Sequence, residues 1–80
     1  MQELVFRKNV ELKKEMEFLY RGRKFRLGYT LDDSGKNAIS FGEENLPVKL
    51  FYSYGELVNN AMLGISPLSY SIESLELLNP

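Results

Sequence analysis

The feature that most constrains the fold is a run of alternating apolar and polar residues on both sides of Gly22. In Met16–Tyr20 and again in Phe25–Leu31, an apolar residue occupies almost every second position. A period of two is typical of a half-buried β-strand, and two such runs around a short glycine-containing break predict a β-hairpin. One face of this hairpin is expected to be apolar and buried, and the other basic and solvated.

Two loops are compatible with this hairpin. A Gly22-Arg23 loop suits a type II′ turn, because glycine accepts the positive φ of the first central position, and it sets Tyr20 opposite Phe25. A loop at Arg21-Gly22 keeps the same faces but shifts the strand partners by two. The first loop is the preferred prediction.

Further short elements follow the hairpin. The segment Leu31–Asn37, "LDDSGKN", concentrates residues that favour tight turns, and Ala38–Gly42 alternates again as a third antiparallel strand. The segment Val48–Tyr52 is predicted to be extended or a short strand, with an edge that could accept a strand from a partner.

A helix is predicted over Tyr54–Leu63. Ser53 and Glu56 form an S-x-x-E capping box, apolar residues follow at helical spacing, and Gly64 is suited to end the helix in a left-handed conformation. Residues 67–78 fit a helix or a strand, with one helical turn followed by a strand preferred. Residues 1–15 fit neither period and are expected to be flexible or poorly packed.

These elements predict an α+β fold in a single small domain spanning residues 1–80. The expected architecture is an antiparallel sheet of three to four strands with one capped helix packed on one face. The 80-residue length is short for a core that folds without a staple or a partner, which makes a dimer an attractive hypothesis.

The residue types present argue against catalysis. The chain contains no cysteine and no histidine, so the common thiolate nucleophile, the usual general base and the two commonest transition-metal ligands are all missing. A chain this short is also not expected to form a pocket of ordinary volume. We therefore predict no enzyme activity, no catalytic, cofactor-binding or metal-binding residues, and no cofactor.

Charge is divided unequally along the chain. Residues 1–26 carry eight bases and four acids, whereas residues 27–80 carry two bases and seven acids. This division permits an electrostatic partner, including a second copy of the chain, although the two ends could equally attract each other within one fold.

The basic hairpin suggests nucleic-acid binding as an alternative function, because a ribbon can enter a DNA groove and guanidinium groups contact phosphates. Two observations oppose it: the aromatic residues alternate onto the other face, and Glu15 and Glu17 share the basic face. Four residues would carry such binding: Arg21, Arg23, Lys24 and Arg26.

The leading prediction is a non-catalytic protein-protein interaction or accessory module that binds an unidentified protein or itself. Tyrosine is enriched at interfaces because it is large, stiff and half polar. The interface candidates are Tyr52, Tyr54 and Tyr70. No run of apolar residues could span a bilayer and no signal peptide is recognisable, so we expect a cytoplasmic protein with no membrane partner.

The order hairpin, turn, strand and then "FYSYGELVNNAMLG", Phe51–Gly64, resembles small uncharacterised proteins of low-GC Gram-positive bacteria and their prophages. In that group an aromatic strand end leads into a capped helix of the type F-x-S-x-x-E-L-x-x-N-A. The resemblance implies a compact α+β fold and a phage or mobile-element setting. It implies no activity, and it assigns no functional residues.

Overall fold

A computed structural model describes residues 1–79 of the chain. Two short 3-10 turns, Leu68–Tyr70 and Ile72–Ser74, lie near its end. The helices and strands are α1 (Glu3–Glu11), β1 (Met16–Tyr20), β2 (Arg23–Leu31), β3 (Asn37–Glu43), β4 (Lys49–Phe51), α2 (Tyr54–Asn60), β5 (Met62–Leu63), β6 (Ser66–Pro67) and β7 (Glu76–Leu77).

Five of the strands form one antiparallel sheet in the order β4-β3-β2-β1-β7. β5 and β6 form a separate two-stranded hairpin. The α+β class predicted from the sequence is confirmed, but the element counts differ: the main sheet has five strands instead of three to four, and residues 1–79 contain two α-helices instead of one. The fifth strand, β7, agrees with the preferred prediction of one helical turn followed by a strand in residues 67–78, although two 3-10 turns replace the single helical turn.

The hairpin of β1 and β2 turns at Arg21-Gly22, so the preferred Gly22-Arg23 loop is wrong and the other loop is observed. Arg21 and Gly22 both have positive φ, 51° and 77°, as a type I′ turn requires, and its twist matches that of the strands. Phe18 therefore lies opposite Phe25, and Tyr20 lies opposite Arg23. The predicted faces hold, since Phe18 and Phe25 are buried.

The helix α1 corrects the expectation for residues 1–15. Phe6 is fully buried and its ring lies 5.8 Å from that of Phe18, while Val10 is 5% exposed. Leu4 and Leu12, by contrast, are 81% and 57% exposed. Because apolar residues occur on both the buried and the exposed side of this helix, its sequence shows no clear amphipathic period.

Ser53 caps α2 as predicted, but the predicted end of this helix is wrong. The Ser53 Oγ accepts a hydrogen bond from the backbone N–H of Glu56 at 3.0 Å. The helix ends at Asn60 instead of Leu63, and Gly64, with φ +66°, begins the two-residue turn between β5 and β6. Gly64 therefore lies in the turn of the β5–β6 hairpin instead of terminating α2.

The core lies on the sheet face that α1, α2 and the 3-10 turns cover, called the inner face below. Helix, sheet and the final segment all contribute to it. Its most completely buried large side chains are Phe6, Phe18, Leu27, Leu57 and Leu68.

Candidate functional site

The basic hairpin meets acidic side chains of its own sheet. Arg23 forms a two-pronged contact with Glu43, at 2.6 and 2.9 Å, and the ammonium of Lys24 lies 3.4 Å from the carboxylate of Glu17. Arg26 is 3.7 Å from Glu44. Three of the four candidate nucleic-acid-binding residues therefore have a carboxylate partner within the fold.

The fourth basic residue, Arg21, places its guanidinium carbon 5.3 Å from the centre of the Tyr20 ring. Tyr20 is half-buried, and its hydroxyl lies 3.3 Å from the hydroxyl of Ser71. Because Phe18 and Phe25 point into the core, the basic face lacks the row of exposed aromatic rings on which single-stranded bases stack.

A groove of about 510 Å³ opens on the inner face, where the helices leave the sheet uncovered. Its walls come from the end of α1, the facing ends of β2 and β3, and the chain that joins β4 to α2. Apolar atoms dominate its surface. The aliphatic and aromatic residues that line it are Val10, Tyr29, Leu31, Ala38, Ile39, Phe51, Tyr52 and Tyr54.

The volume of this groove corrects one expectation. Binding sites for small molecules usually occupy roughly 300–1,000 Å³. A chain of 80 residues is expected to be too short to form a site of that size, yet this groove lies within the range. The groove reaches this volume because segments from three separate parts of the chain together form its walls.

The tyrosine hydroxyl groups of the groove are all hydrogen-bonded to other parts of the fold. Tyr29 donates to the carbonyl oxygen of Lys14 at 3.0 Å, and Tyr52 donates to a carboxylate oxygen of Asp32 at 2.9 Å. The Tyr54 hydroxyl is 3.5 Å from the carboxylate of Glu3. Since the polar end of each ring is engaged, mainly ring carbon faces the groove.

Burial of the Tyr29 phenol raises its pKa to about 12, with a smaller contribution from the carboxylate of Glu15. Burial is also the main reason that the pKa of Tyr54 is raised. Both phenols are therefore neutral over the physiological range, and neither presents a charge to the groove.

Asp32 organises the turn beside the groove. One of its carboxylate oxygens accepts hydrogen bonds from the hydroxyl and backbone N–H of Ser34 and from the backbone N–H of Lys36, at 2.7 to 2.9 Å. The Ser34 hydroxyl, then the Lys36 N–H, are the main causes that lower the pKa of Asp32 to about 2. The Lys36 ammonium in turn lies 4.7 Å from the centre of the Tyr52 ring. The turn thereby fixes Tyr52 at the mouth of the groove.

Two of the three tyrosines predicted at an interface, Tyr52 and Tyr54, line this groove together. Tyr70 does not: it lies on a 3-10 turn and is 80% exposed. Sequence reasoning missed the contribution of Val10, because α1 was not predicted. The alternation had placed Tyr29 and Ile39 on the apolar face, but it gave no sign that the helices leave them partly uncovered.

Two general observations complete the description of residues 1–79. They contain no helix that is both long enough and apolar enough to cross a bilayer. Among these residues, no three or more acidic side chains come close enough together to hold a metal ion.

Comparison of the chain with protein-family models, with curated proteins and with solved structures gives no match. The resemblance to small prophage proteins and the cytoplasmic location therefore stay predictions.

Proposed function

We propose that this chain is a non-catalytic protein-binding module, and that its inner-face groove receives an apolar side chain of a protein partner. The observation that carries the proposal is the lining of the groove: an apolar recess of about 510 Å³ whose three tyrosine hydroxyls are engaged elsewhere. Such a recess can bury an anchor residue without leaving polar groups unpaired.

The rim of the groove favours a peptide over a small charged ligand. Glu11 and Lys13 lie on one wall, while Asp32 and Lys36 flank Tyr52 near the other. Charges of both signs surround an apolar centre, as in the polar rim and apolar core of protein interfaces. A partner segment with an aliphatic or aromatic anchor between mixed charges fits this arrangement.

The basic hairpin offers a weaker basis for function. A phosphate would have to compete with Glu43, Glu17 and Glu44 for the basic residues that contact them. Nucleic-acid binding through Arg21, Arg23, Lys24 and Arg26 is therefore the less favoured alternative, and the experiment below can detect it.

The test is selection from a peptide library displayed on phage, followed by binding measurements on the enriched peptides. We expect peptides with an apolar anchor to be enriched. Their affinity should fall at least tenfold for Leu31→Asp, because an anionic carboxylate would replace part of the apolar lining.

Leu12→Asp is the matched control. Leu31 and Leu12 are similarly exposed, 61% and 57%, but only Leu31 lines the groove. Equal losses in the two variants, or no enrichment of apolar peptides, would contradict the proposal. A single-stranded oligonucleotide that binds better than any peptide, and loses affinity when the four basic residues become glutamine, would favour the alternative.

A further inference from the structure

The two edges of the five-stranded sheet end differently. Beside β7, the Met1 ammonium donates to the carbonyl oxygens of Glu73 and Leu75 at 3.1 and 2.9 Å, and the Asn79 side chain accepts from the backbone N–H of Glu17 at 2.6 Å. At the opposite edge, β4 has no strand beyond it within residues 1–79. A bare edge strand offers backbone N–H and C=O groups to another chain.

Three apolar residues at alternate positions, Val48, Leu50 and Tyr52, form a row along β4, and Tyr52, at the end of the strand, also lines the groove. Leu50 is the register partner of Ser40 and therefore lies on the outer face of the sheet. Val48 crosses Gly42 so closely that a Cβ at that glycine would lie 3.2 Å from the Val48 Cγ1 atom. Tyr52 follows two positions after Leu50. Val48 and Tyr52 are 53% and 40% exposed.

We propose that a second copy of this chain pairs with β4, antiparallel, about a two-fold axis through Leu50. In this register Leu50 lies opposite its own copy, and Val48 lies opposite Tyr52 of the other chain. The row is self-complementary, because reversing its direction still places an apolar residue opposite each apolar residue. Directly opposed side chains in an antiparallel pair are close enough to pack together.

The charged residue within β4 is compatible with this pairing. Like charges directly opposite each other destabilise a sheet. In this register Lys49 would lie opposite Phe51 of the second chain, so the two lysines would not face each other. Pro47 and Lys49 also discourage unspecific edge pairing. Because the two-fold axis pairs this edge with the same edge of the second copy, the interface is isologous and the assembly closes as a dimer.

Each end of the row carries charges of both signs. Arg26 and Glu44 border the recess next to Val48. Asp33 lies in the recess next to Tyr52, and the Lys36 ammonium lies over the Tyr52 ring. Glu43 also borders the first recess and Asp32 the second, so the two-fold axis brings one base and two acids of each chain towards one base and two acids of its copy.

The dimer is tested at Leu50, which does not line the groove, although Tyr52 belongs to both surfaces. The test is sedimentation velocity of the full chain over a wide concentration range. We expect the mass to rise with concentration from the 9.3 kDa of one chain to twice that value. Leu50→Lys and Leu50→Glu should each remain monomeric, because each places two like charges opposite one another.

An equal mixture of Leu50→Lys and Leu50→Glu should restore the doubled mass, because only the mixed pair brings opposite charges together. This rescue separates the proposed register from a general loss of folding. Leu19→Lys, which alters a half-exposed residue of β1 on the same outer face, is the control and should dimerise like the unmodified chain.

A chain that stays monomeric at every concentration would overturn the inference. A dimer that Leu50→Lys leaves intact, or a mixture that fails to restore dimerisation, would overturn it as well. The groove proposal would survive any of these three results, because its own test uses Leu31→Asp and peptide affinity.

Discussion

The basic hairpin and the inner-face groove differ in how far their chemistry is satisfied within the fold. Three of the hairpin's four basic residues contact carboxylates, and its phenylalanines are buried. In the groove the opposite holds, because the polar tyrosine hydroxyls are engaged while apolar atoms stay open. A dense cluster of charges in a sequence is therefore a poor guide to function until the partners of those charges in the fold are known.

The most destabilising substitution should be one on the buried side of the hairpin, because that side contributes to the core. Phe18→Ala removes a fully buried ring that contacts Phe6, so it should lower the free energy of unfolding by about 3–5 kcal/mol. Leu19→Ala, on the half-exposed side of the same strand, should cost about 1 kcal/mol or less. Chemical denaturation of both variants measures the contrast. Similar losses would mean that the inner face of the hairpin is not the anchor of the core.

The next effect concerns α2, which starts beside the groove. Ser53→Ala removes the hydrogen bond from the Ser53 Oγ to the Glu56 N–H and should cost about 1 kcal/mol. Amide exchange should accelerate in the first turn of α2 and stay unchanged in the hairpin. Ser53→Asp should restore much of the loss, because aspartate also caps helices. Ser74→Ala, an exposed serine, is the control, and an equal loss there would contradict the capping role.

A smaller effect appears at alkaline pH. Because the pKa of Tyr29 is about 12 in the folded chain and about 10 for an ordinary tyrosine, the folded state holds this proton more tightly. The resulting stability is complete below pH 10 and is lost as the pH rises through about 12. Thermal unfolding from pH 8 to 12 should show a shallower decline for Tyr29→Phe than for the unmodified chain. Parallel curves would show that Tyr29 does not titrate this way.

The smallest effect concerns the charges of the hairpin. Replacing the four basic residues with glutamine should hardly change the unfolding temperature, because exposed ion pairs contribute little in water. Peptide binding in the groove should also be unchanged. The residues replaced are Arg21, Arg23, Lys24 and Arg26. A large loss of peptide affinity would show that the basic residues of the hairpin contribute to peptide binding, contrary to this prediction.

Local patterns made much of the fold predictable. The alternation around Gly22 predicted two strands and their faces, and the S-x-x-E box predicted the start of α2. The turn position was harder, because the strand faces stay the same when the partners shift by two. A closing strand was the preferred prediction near the end of the chain, but no local pattern indicates that it pairs with β1, nearly sixty positions earlier.

The groove was predictable only in part. The chemistry of tyrosine and the position of the helix cap predict an interface role for Tyr52 and Tyr54, and both residues line the groove. Their neighbours in space, Val10 and Ile39, come from distant parts of the chain. A cavity depends on where the packing stops, and this follows from how the helices cross the sheet, which no local pattern encodes.

A probe that could bind to either region distinguishes directly between the groove and the basic hairpin as the binding surface. Anilinonaphthalene sulfonate carries apolar rings for the groove and an anionic group for the arginines. Amide chemical shifts of isotope-labelled protein, followed during its titration, report which surface it chooses. We expect the largest shifts around Tyr29, Ile39 and Tyr54, which line the groove. Shifts that cluster instead on Arg21 to Arg26 would contradict this expectation.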